Sequence, residues 1–134
     1  MNFETNNKQI EIFYNNAENK IVPVIILNTF GGEGCEVWNE CQKLNTNDFI
    51  LVAISKIDWN NDMTPWECPP LYKGDEYYKG YADKYLDIIA NDVIPKVTNI
   101  VKNDLNKEID YFGIAGYSLR GIICYLFRLQ NKHF

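Results

Sequence analysis

Histidine is almost absent from this chain: the only one is His133, next to the last residue. Positive charge is also scarce, because 13 lysines and arginines stand against 18 aspartates and glutamates, for a net charge of −5. Phosphate backbones and anionic lipid surfaces require clustered basic side chains. The composition therefore argues against nucleic acid and membrane surfaces as partners.

Long apolar runs are missing as well. No stretch approaches the roughly 20 residues that a membrane-spanning helix requires. The first ten residues, MNFETNNKQI, contain neither the basic start nor the apolar centre of a secretory signal. We therefore expect a cytoplasmic protein.

The four cysteines show no C-x-x-C spacing. Cys35 and Cys41 are six residues apart, which on a helix places them on different faces. A zinc site is therefore disfavoured, and free thiols in a reducing compartment are expected. We expect no metal and no other cofactor.

Segments typical of strands and of helices alternate along the chain. Four short apolar or alternating stretches indicate strands: residues 9–14, 21–28, 49–55 and 109–116. Helical spacing of apolar residues appears in three stretches: residues 35–44, about 76–103, and from 119 onward. This order predicts one α/β domain over residues 1–134, a mostly parallel sheet of about four strands flanked by helices.

The predicted helices have distinct features. On the first, Val37, Cys41 and Leu44 share the face that we expect to be buried. Pro95 should kink the second helix or split it in two. The tyrosines of that region are expected to form a helix face without chemistry; they are Tyr77, Tyr78, Tyr81 and Tyr85.

Residues 56–75, KIDWNNDMTPWECPPLYKGD, are rich in aromatic residues and proline and are predicted to lack regular secondary structure. A loop of this length in a small domain is more often functional than filler. Trp59 and Trp66 either line an acyl or aromatic pocket, with Asp58 and Asp62 as polar contacts, or pack the loop over the core. Both interpretations remain open.

The stretch GIAGYSLRGI, residues 113–122, places a serine in a glycine-flanked turn between an apolar strand and an apolar helix. In turns of this kind the strained backbone projects the serine hydroxyl above the sheet, and the next N–H points at a developing oxyanion. Ser118 is thus a candidate nucleophile and Leu119 a candidate oxyanion donor. The alternative is a serine in an ordinary strand–helix turn.

A second glycine-rich stretch, FGGEG, follows the strand at 21–28. Its glycines permit close backbone approach and positive φ, which would place amides where negative charge develops. The dinucleotide pattern G-x-G-x-x-G fails because Val37 stands at the third glycine, and no G-K-[ST] follows. An oxyanion loop is favoured, and a nucleotide-binding domain is the weaker alternative.

Four stretches together resemble a group of bacterial serine esterases in the α/β-hydrolase superfamily: GIAGYSLRG, NTFGGEGCEVW, DWNNDMTPW and DVIPK. They extend over about residues 20–130. The resemblance implies an α/β-hydrolase-like fold and a serine hydrolase of small-molecule esters. Ser118 would be the nucleophile, and the backbone N–H groups of Leu119, Phe30 and Gly31 would form the oxyanion hole.

Trp59, Trp66 and Tyr117 are the residues that we expect to contact the ester substrate. Asp58 and Asp62 precede the serine in the chain, so neither matches the acid of the family's triad, which follows it. The resemblance therefore identifies no residue of this sequence as the triad acid.

Two departures from the family pattern matter. A small residue is expected where Arg120 stands, so its guanidinium must be accommodated or the turn must distort. Arg120 could bind a substrate carboxylate, but more often such a residue marks relaxed constraint. The family's histidine also follows the serine on later strands, and the sequence has only His133. If residues 119–133 are helical, His133 lies roughly 20 Å from Ser118, far beyond hydrogen-bond reach.

We therefore expect an inactive or truncated hydrolase that lacks the acid and the histidine, an incomplete domain. The strand at 109–116 would then lack a neighbour at the sheet edge, which favours pairing with another strand. The alternative function is a non-catalytic interaction module that pairs through this strand, including self-association with a second copy.

Overall fold

The computed structural model describes residues 1–116 and 118–131. Within them, a five-stranded sheet forms the centre of the fold, and its strands are β1 (Asn2–Thr5), β2 (Lys8–Phe13), β3 (Ile21–Asn28), β4 (Ile50–Ser55) and β5 (Glu108–Ala115). They lie side by side in the order β1-β2-β4-β3-β5. β3 is parallel to both β4 and β5, whereas β2 is antiparallel to β1 and β4.

The α/β architecture is confirmed, and all four predicted strands are present. The sheet differs from the prediction in having a fifth strand, β1, and an antiparallel side. Asn6 and Asn7 both have positive φ, 48° and 61°, as in the tight type I′ turns that join hairpin strands. The Asn-Asn pair was the signal for this hairpin, but the polar sequence NFET lacks the apolar alternation that identifies a strand.

In the described part of the chain, five α-helices accompany the sheet: α1 (Gly34–Lys43), α2 (Trp59–Asp62), α3 (Ala82–Ile88), α4 (Ile94–Asn99) and α5 (Leu119–Gln130). The helix α2 lies in the segment predicted to lack regular secondary structure, so that prediction was wrong for these four residues. The first proline of the segment is Pro65, which follows α2 and does not interrupt it.

The predicted face of α1 was wrong at its end. Leu44 is 71% exposed and lies just beyond the helix, whereas Trp38 is buried. The Trp38 ring packs against the rings of Phe13 and Phe49. An aromatic residue one position from the expected stripe therefore anchors α1 to the sheet.

The second predicted helix starts later than expected and is divided. Tyr78 pairs with Cys68 in an isolated antiparallel bridge, which keeps the chain extended before α3 begins. Two π-helical turns, Ile89–Val93 and Ile100–Asp104, follow α3 and α4. The first of these turns ends beside Pro95, which lies in the first turn of α4, and prolines and π-turns are common sites of helix irregularity. Pro95 was predicted to kink this helix or to split it in two; the backbone instead stays helical from Ile88 to Ile94, and only its hydrogen bonding changes between α and π.

The main core lies between one face of the sheet and the helices α3, α4 and α5. Its helical side is formed by fully buried apolar residues: Tyr85, Leu86, Ile89, Val93, Val97, Val101, Ile123 and Phe127. All six residues of β4 are buried, because α1 covers the opposite face. Burial on both faces accounts for the continuous apolar sequence of β4.

The four cysteines all lie within the described part of the chain, and none is in a disulfide. Among residues 1–116 and 118–131, no three His, Cys, Asp or Glu side chains are grouped so that they could hold a metal ion. None of the helices described there is long and apolar enough to cross a membrane.

Candidate active site

Ser118 lies in the turn between the end of β5 and the start of α5. Its backbone has φ 57° and ψ −131°, a conformation that non-glycine residues rarely adopt. Such strain persists only where the surrounding structure enforces it, and it is concentrated at functional sites. The serine is exposed at the carboxyl end of the sheet.

Gly116 allows the strand and the helix to approach each other at this turn. A Cβ at this position would lie 2.6 Å from the Cβ of Arg120 and 3.0 Å from its carbonyl oxygen. The glycine two positions before the serine therefore has a steric reason in this structure.

The loop after β3 reaches the same end of the sheet. Thr29 is buried, and both its N–H and its hydroxyl donate to the carbonyl oxygen of Ile54, at 3.0 and 2.8 Å. At the far end of the loop, a Cβ on Gly34 would lie 2.5 Å from the Cβ of Ala53. The loop is thus held against the end of β4 at both of its ends.

Within this loop, the side chain of Glu33 folds back onto the backbone. Its carboxylate accepts hydrogen bonds from the N–H of Phe30, at 2.8 and 3.1 Å, and from the N–H of Gly31, at 2.7 Å. These are two of the three N–H groups that the sequence predicts as oxyanion donors. In this structure both of them are engaged by the carboxylate.

Arg120 joins the serine turn to this loop. Its Nη1 donates to Glu33 Oε1 at 2.7 Å and to the carbonyl oxygen of Asn28 at 2.8 Å. The guanidinium also lies 4.9 Å from the centre of the Trp59 ring, within cation–π range. Arg120 is only 2% exposed. The turn therefore accommodates the guanidinium, and Arg120 is a structural link where the sequence favoured relaxed constraint.

The ionisation of Glu33 follows from these contacts. Partial burial acts to raise its pKa, but hydrogen bonds from Phe30, Arg120 and Gly31 outweigh burial and lower the pKa to about 2. The carboxylate is therefore negatively charged at neutral pH while it is bound to the two N–H groups.

Ser118 opens onto a cleft of about 940 Å³ between the serine turn, the loop after β3 and the segment that contains α2. Leu119, Phe30 and Trp59 line the same cleft, and the rings of Phe30 and Trp59 meet edge to face with centroids 5.0 Å apart. The structure thus brings together five of the site candidates singled out from the sequence, since Asp58 lines the cleft as well.

The other candidates lie elsewhere. Trp66 is 69% exposed and does not line the cleft. Gly31 belongs to the loop after β3 but does not line the cleft either. Tyr117 falls outside the described residues. Asp62 is nearly buried and pairs with Lys8, so it is not a polar contact of the cleft, whereas Asp58 does line it.

Sequence reasoning missed several cleft residues from the loop at 56–75 and its surroundings. These additional lining residues are Ile57, Asn60, Leu71, Tyr72, Asp75, Tyr78 and Ile122. Tyr78, expected on a helix face, lies outside any helix, and its hydroxyl donates to Asp75 Oδ2 at 3.0 Å. The density of aromatic residues in the loop was the available signal, but residue spacing does not reveal which way an irregular segment turns.

Tyr85 also has a polar role that a helix face does not imply. Its hydroxyl donates to the side-chain oxygen of Asn28, at the end of β3, and burial raises its pKa well above 10. Asn28 thus receives a hydrogen bond on its side chain from α3 and another on its carbonyl from Arg120. This bonding fixes the end of β3 from which the loop departs.

The structure describes no histidine, since the sequence has only His133, and His133 lies outside the described residues. The predicted distance from His133 to Ser118 therefore stays a prediction. Within the described part, α5 carries the chain about 17 Å away from the serine turn by Gln130, at 1.5 Å per residue.

The fold is similar to that of several solved structures. An IroE-like serine hydrolase from Shewanella oneidensis matches with a TM-score of 0.69 and 16% identity, over 99% of this chain and 46% of that chain. The BES protein from Bacillus cereus matches with a TM-score of 0.67 and 19% identity, over 92% and 55%. The siderophore hydrolase EstB from Aspergillus nidulans matches with a TM-score of 0.63 and 21% identity, over 96% and 50%.

No protein-family model matches the sequence, and no curated protein is similar to it. The chain spans about half the length of the solved structures that it matches. Residues of this chain therefore form a sheet and helices that correspond to about half of the fold of these solved structures.

Proposed function

We propose that this chain carries the nucleophile half of a serine hydrolase of small-molecule esters. The observation that carries the proposal is the strained backbone of Ser118, at a strand–helix turn that faces one cleft together with Phe30 and Leu119. Ser118 would attack the ester carbonyl, and backbone N–H groups of Leu119, Phe30 and Gly31 would stabilise the oxyanion. Trp59 and Phe30 would contact the acyl or leaving group.

Attack by the serine requires a base that accepts the hydroxyl proton. The only imidazole of the sequence is His133, and α5 leads away from Ser118. We therefore propose that residues 1–134 alone leave Ser118 without its base and are inactive or nearly so. Any turnover would require an acid and an imidazole supplied by another polypeptide segment.

Chemical rescue by imidazole tests the role of Ser118. With p-nitrophenyl acetate alone, we expect negligible turnover that Ser118→Ala does not change. Added imidazole supplies the missing base, so it should place an acetyl group on the peptide that contains Ser118, as detected by mass spectrometry.

Ser55 provides the control, because it is the only other serine of the sequence and is buried at the end of β4. Ser55→Ala should leave the acetylation unchanged, and Ser118→Ala should abolish it. Imidazole also carries acetyl groups to lysine and tyrosine side chains, and this background should be equal in wild type and Ser118→Ala. Background acetylation with none on the Ser118 hydroxyl would contradict the proposed nucleophile. Turnover without imidazole that is lost only in Ser118→Ala would contradict the proposed inactivity.

One observation favours a second candidate, a non-catalytic interaction module. β5 lies at the end of the sheet, and among the described residues it pairs only with β3. Beside it, β5 and α5 border a groove of about 400 Å³, and Tyr111 on β5 is exposed. An exposed edge strand offers unpaired backbone groups to a further strand.

If β5 pairs with a second copy, sedimentation should show a dimer that Tyr111→Lys weakens, since charge on an edge strand opposes pairing. Leu44→Lys is the control, because Leu44 is also exposed but lies beyond α1. A monomer at all protein concentrations would count against self-association through this strand.

A further inference from the structure

The oxyanion donors of the loop after β3 already have an acceptor. The N–H groups of Phe30 and Gly31 both donate to the Glu33 carboxylate. An oxyanion hole works only when its donors are directed at the developing negative charge. A carboxylate in that position occupies the N–H donors and also repels an approaching anion.

We propose that Glu33 is an internal ligand of a carboxylate-sized anion site, formed by the N–H groups of Phe30 and Gly31 and by Arg120, and that an external anion binds there only after Glu33 leaves. The catalytic consequence rests on the proposed function: ester hydrolysis would require the same displacement. The anion site itself does not depend on Ser118.

The burial of the two charged partners indicates which one moves. The side chain of Arg120 is 2% exposed, whereas that of Glu33 is 27% exposed and belongs to a loop. Arg120 is also held by the carbonyl oxygen of Asn28 and by the face of Trp59, and neither contact depends on Glu33. Displacement of Glu33 would therefore leave the guanidinium in place.

The remaining groups suit an anion. A guanidinium stays protonated in proteins and pairs well with carboxylates through charge-assisted hydrogen bonds. Adjacent backbone N–H groups that converge on one point form a common anion-binding arrangement. With Glu33 absent, the site would present a buried positive charge and two N–H donors to one ligand.

The test is a titration with acetate, which reproduces the end of the Glu33 side chain. In Glu33→Ala, NMR resonances of the Phe30 and Gly31 N–H groups should shift with saturation at roughly millimolar acetate, the affinity expected of so small a ligand. Wild-type protein should show no saturable shift. Glu36→Ala, which removes an exposed carboxylate of α1, is the matched control and should behave as wild type.

The outcomes separate this inference from the hydrolase proposal. The same titration on Glu33→Ala/Ser118→Ala should give unchanged acetate binding, because the serine takes no part in the anion site. Folded Glu33→Ala without a saturable shift at these two N–H groups, or equal shifts in wild type, would overturn the inference. A failure of acetylation at Ser118 would overturn only the proposed function.

A second variant covers the case in which Glu33→Ala does not fold. Glu33→Gln keeps the size of the side chain but removes its charge, so the Phe30 and Gly31 N–H resonances should move upfield as their hydrogen bonds weaken. Unchanged resonances in Glu33→Gln would show that the carboxylate is not their partner and would overturn the inference.

Discussion

Arg120 shows how one side chain connects parts of the chain that are distant in sequence. Its Cβ contacts Gly116 in the serine turn, and its guanidinium reaches the carbonyl of Asn28 and the carboxylate of Glu33. A buried charge is tolerated only when it is paired and hydrogen-bonded. The loop carboxylate is therefore part of what allows an arginine at a position where the family resemblance calls for a small residue.

The pairing of Glu33 predicts a pH-dependent stability. Its pKa of about 2 in the folded protein lies below the ordinary value of 4.5, so the stabilisation is full above pH 4.5 and disappears as pH falls towards 2. At neutral pH, Glu33→Gln should lower the free energy of unfolding by about 1–2 kcal/mol. The full shift would correspond to roughly 3 kcal/mol, but solvent screens a partly exposed carboxylate.

Urea denaturation at several pH values measures this difference between wild type and Glu33→Gln, which should shrink between pH 4.5 and pH 2. Glu36→Gln, on the exposed face of α1, should give a small difference that does not vary with pH. A constant difference for Glu33→Gln would show that the carboxylate has an ordinary pKa.

At the scale of single elements, α1 positions the loop of the candidate site. The helix begins at Gly34, immediately after Glu33, and the contact of Gly34 with Ala53 brings its first turn against β4. Further along, Trp38 packs between the rings of Phe13 and Phe49. The position of the loop therefore depends on how α1 packs against the sheet.

Replacement of Trp38 tests this packing. Trp38→Ala should lower the free energy of unfolding by about 3–5 kcal/mol, because it removes a large buried ring and leaves a cavity. Leu44→Ala should change it by no more than about 0.5 kcal/mol, because Leu44 is exposed beyond the helix end. Urea denaturation measures both changes in the free energy of unfolding. A larger loss in Leu44→Ala than in Trp38→Ala would support the buried face predicted from helical spacing.

At the scale of the whole molecule, the antiparallel side of the sheet supports the segment that borders the cleft. Lys8, at the start of β2, forms a nearly buried ion pair with Asp62, at the end of α2. The same carboxylate accepts a hydrogen bond from the N–H of Asp58, which lines the cleft. The N-terminal hairpin is thus connected to the wall of the cleft through one carboxylate.

Removal of one partner should be costly, because it leaves a buried charge without compensation. Asp62→Asn should lower the free energy of unfolding by about 3 kcal/mol, and Lys8→Met/Asp62→Leu should recover much of this loss. Glu4→Gln is the control, since it disrupts the exposed pair with Lys56 and should cost at most about 1 kcal/mol. Equal effects in thermal or urea denaturation would show that Lys8 and Asp62 are solvated.

The sequence by itself determined the strands β2 to β5, most of the helices and the position of the serine turn. These features follow from local causes. Short β-branched runs favour strands, and Gly116 permits the close approach of strand and helix at the serine turn. The family resemblance also implied that the loop after β3 lies beside Ser118, since it assigned Phe30, Gly31 and Leu119 to one oxyanion hole.

Only the tertiary structure decided which groups meet across the chain. Glu33 and Arg120 are 87 residues apart, and Lys8 and Asp62 are 54 apart, so no local pattern relates them. Likewise, the burial of Trp38 depends on Phe13, which β2 places beside β4. Such pairs form when segments distant in sequence pack together and exclude water from the same charge or ring. Which segments meet depends on the packing of the whole chain.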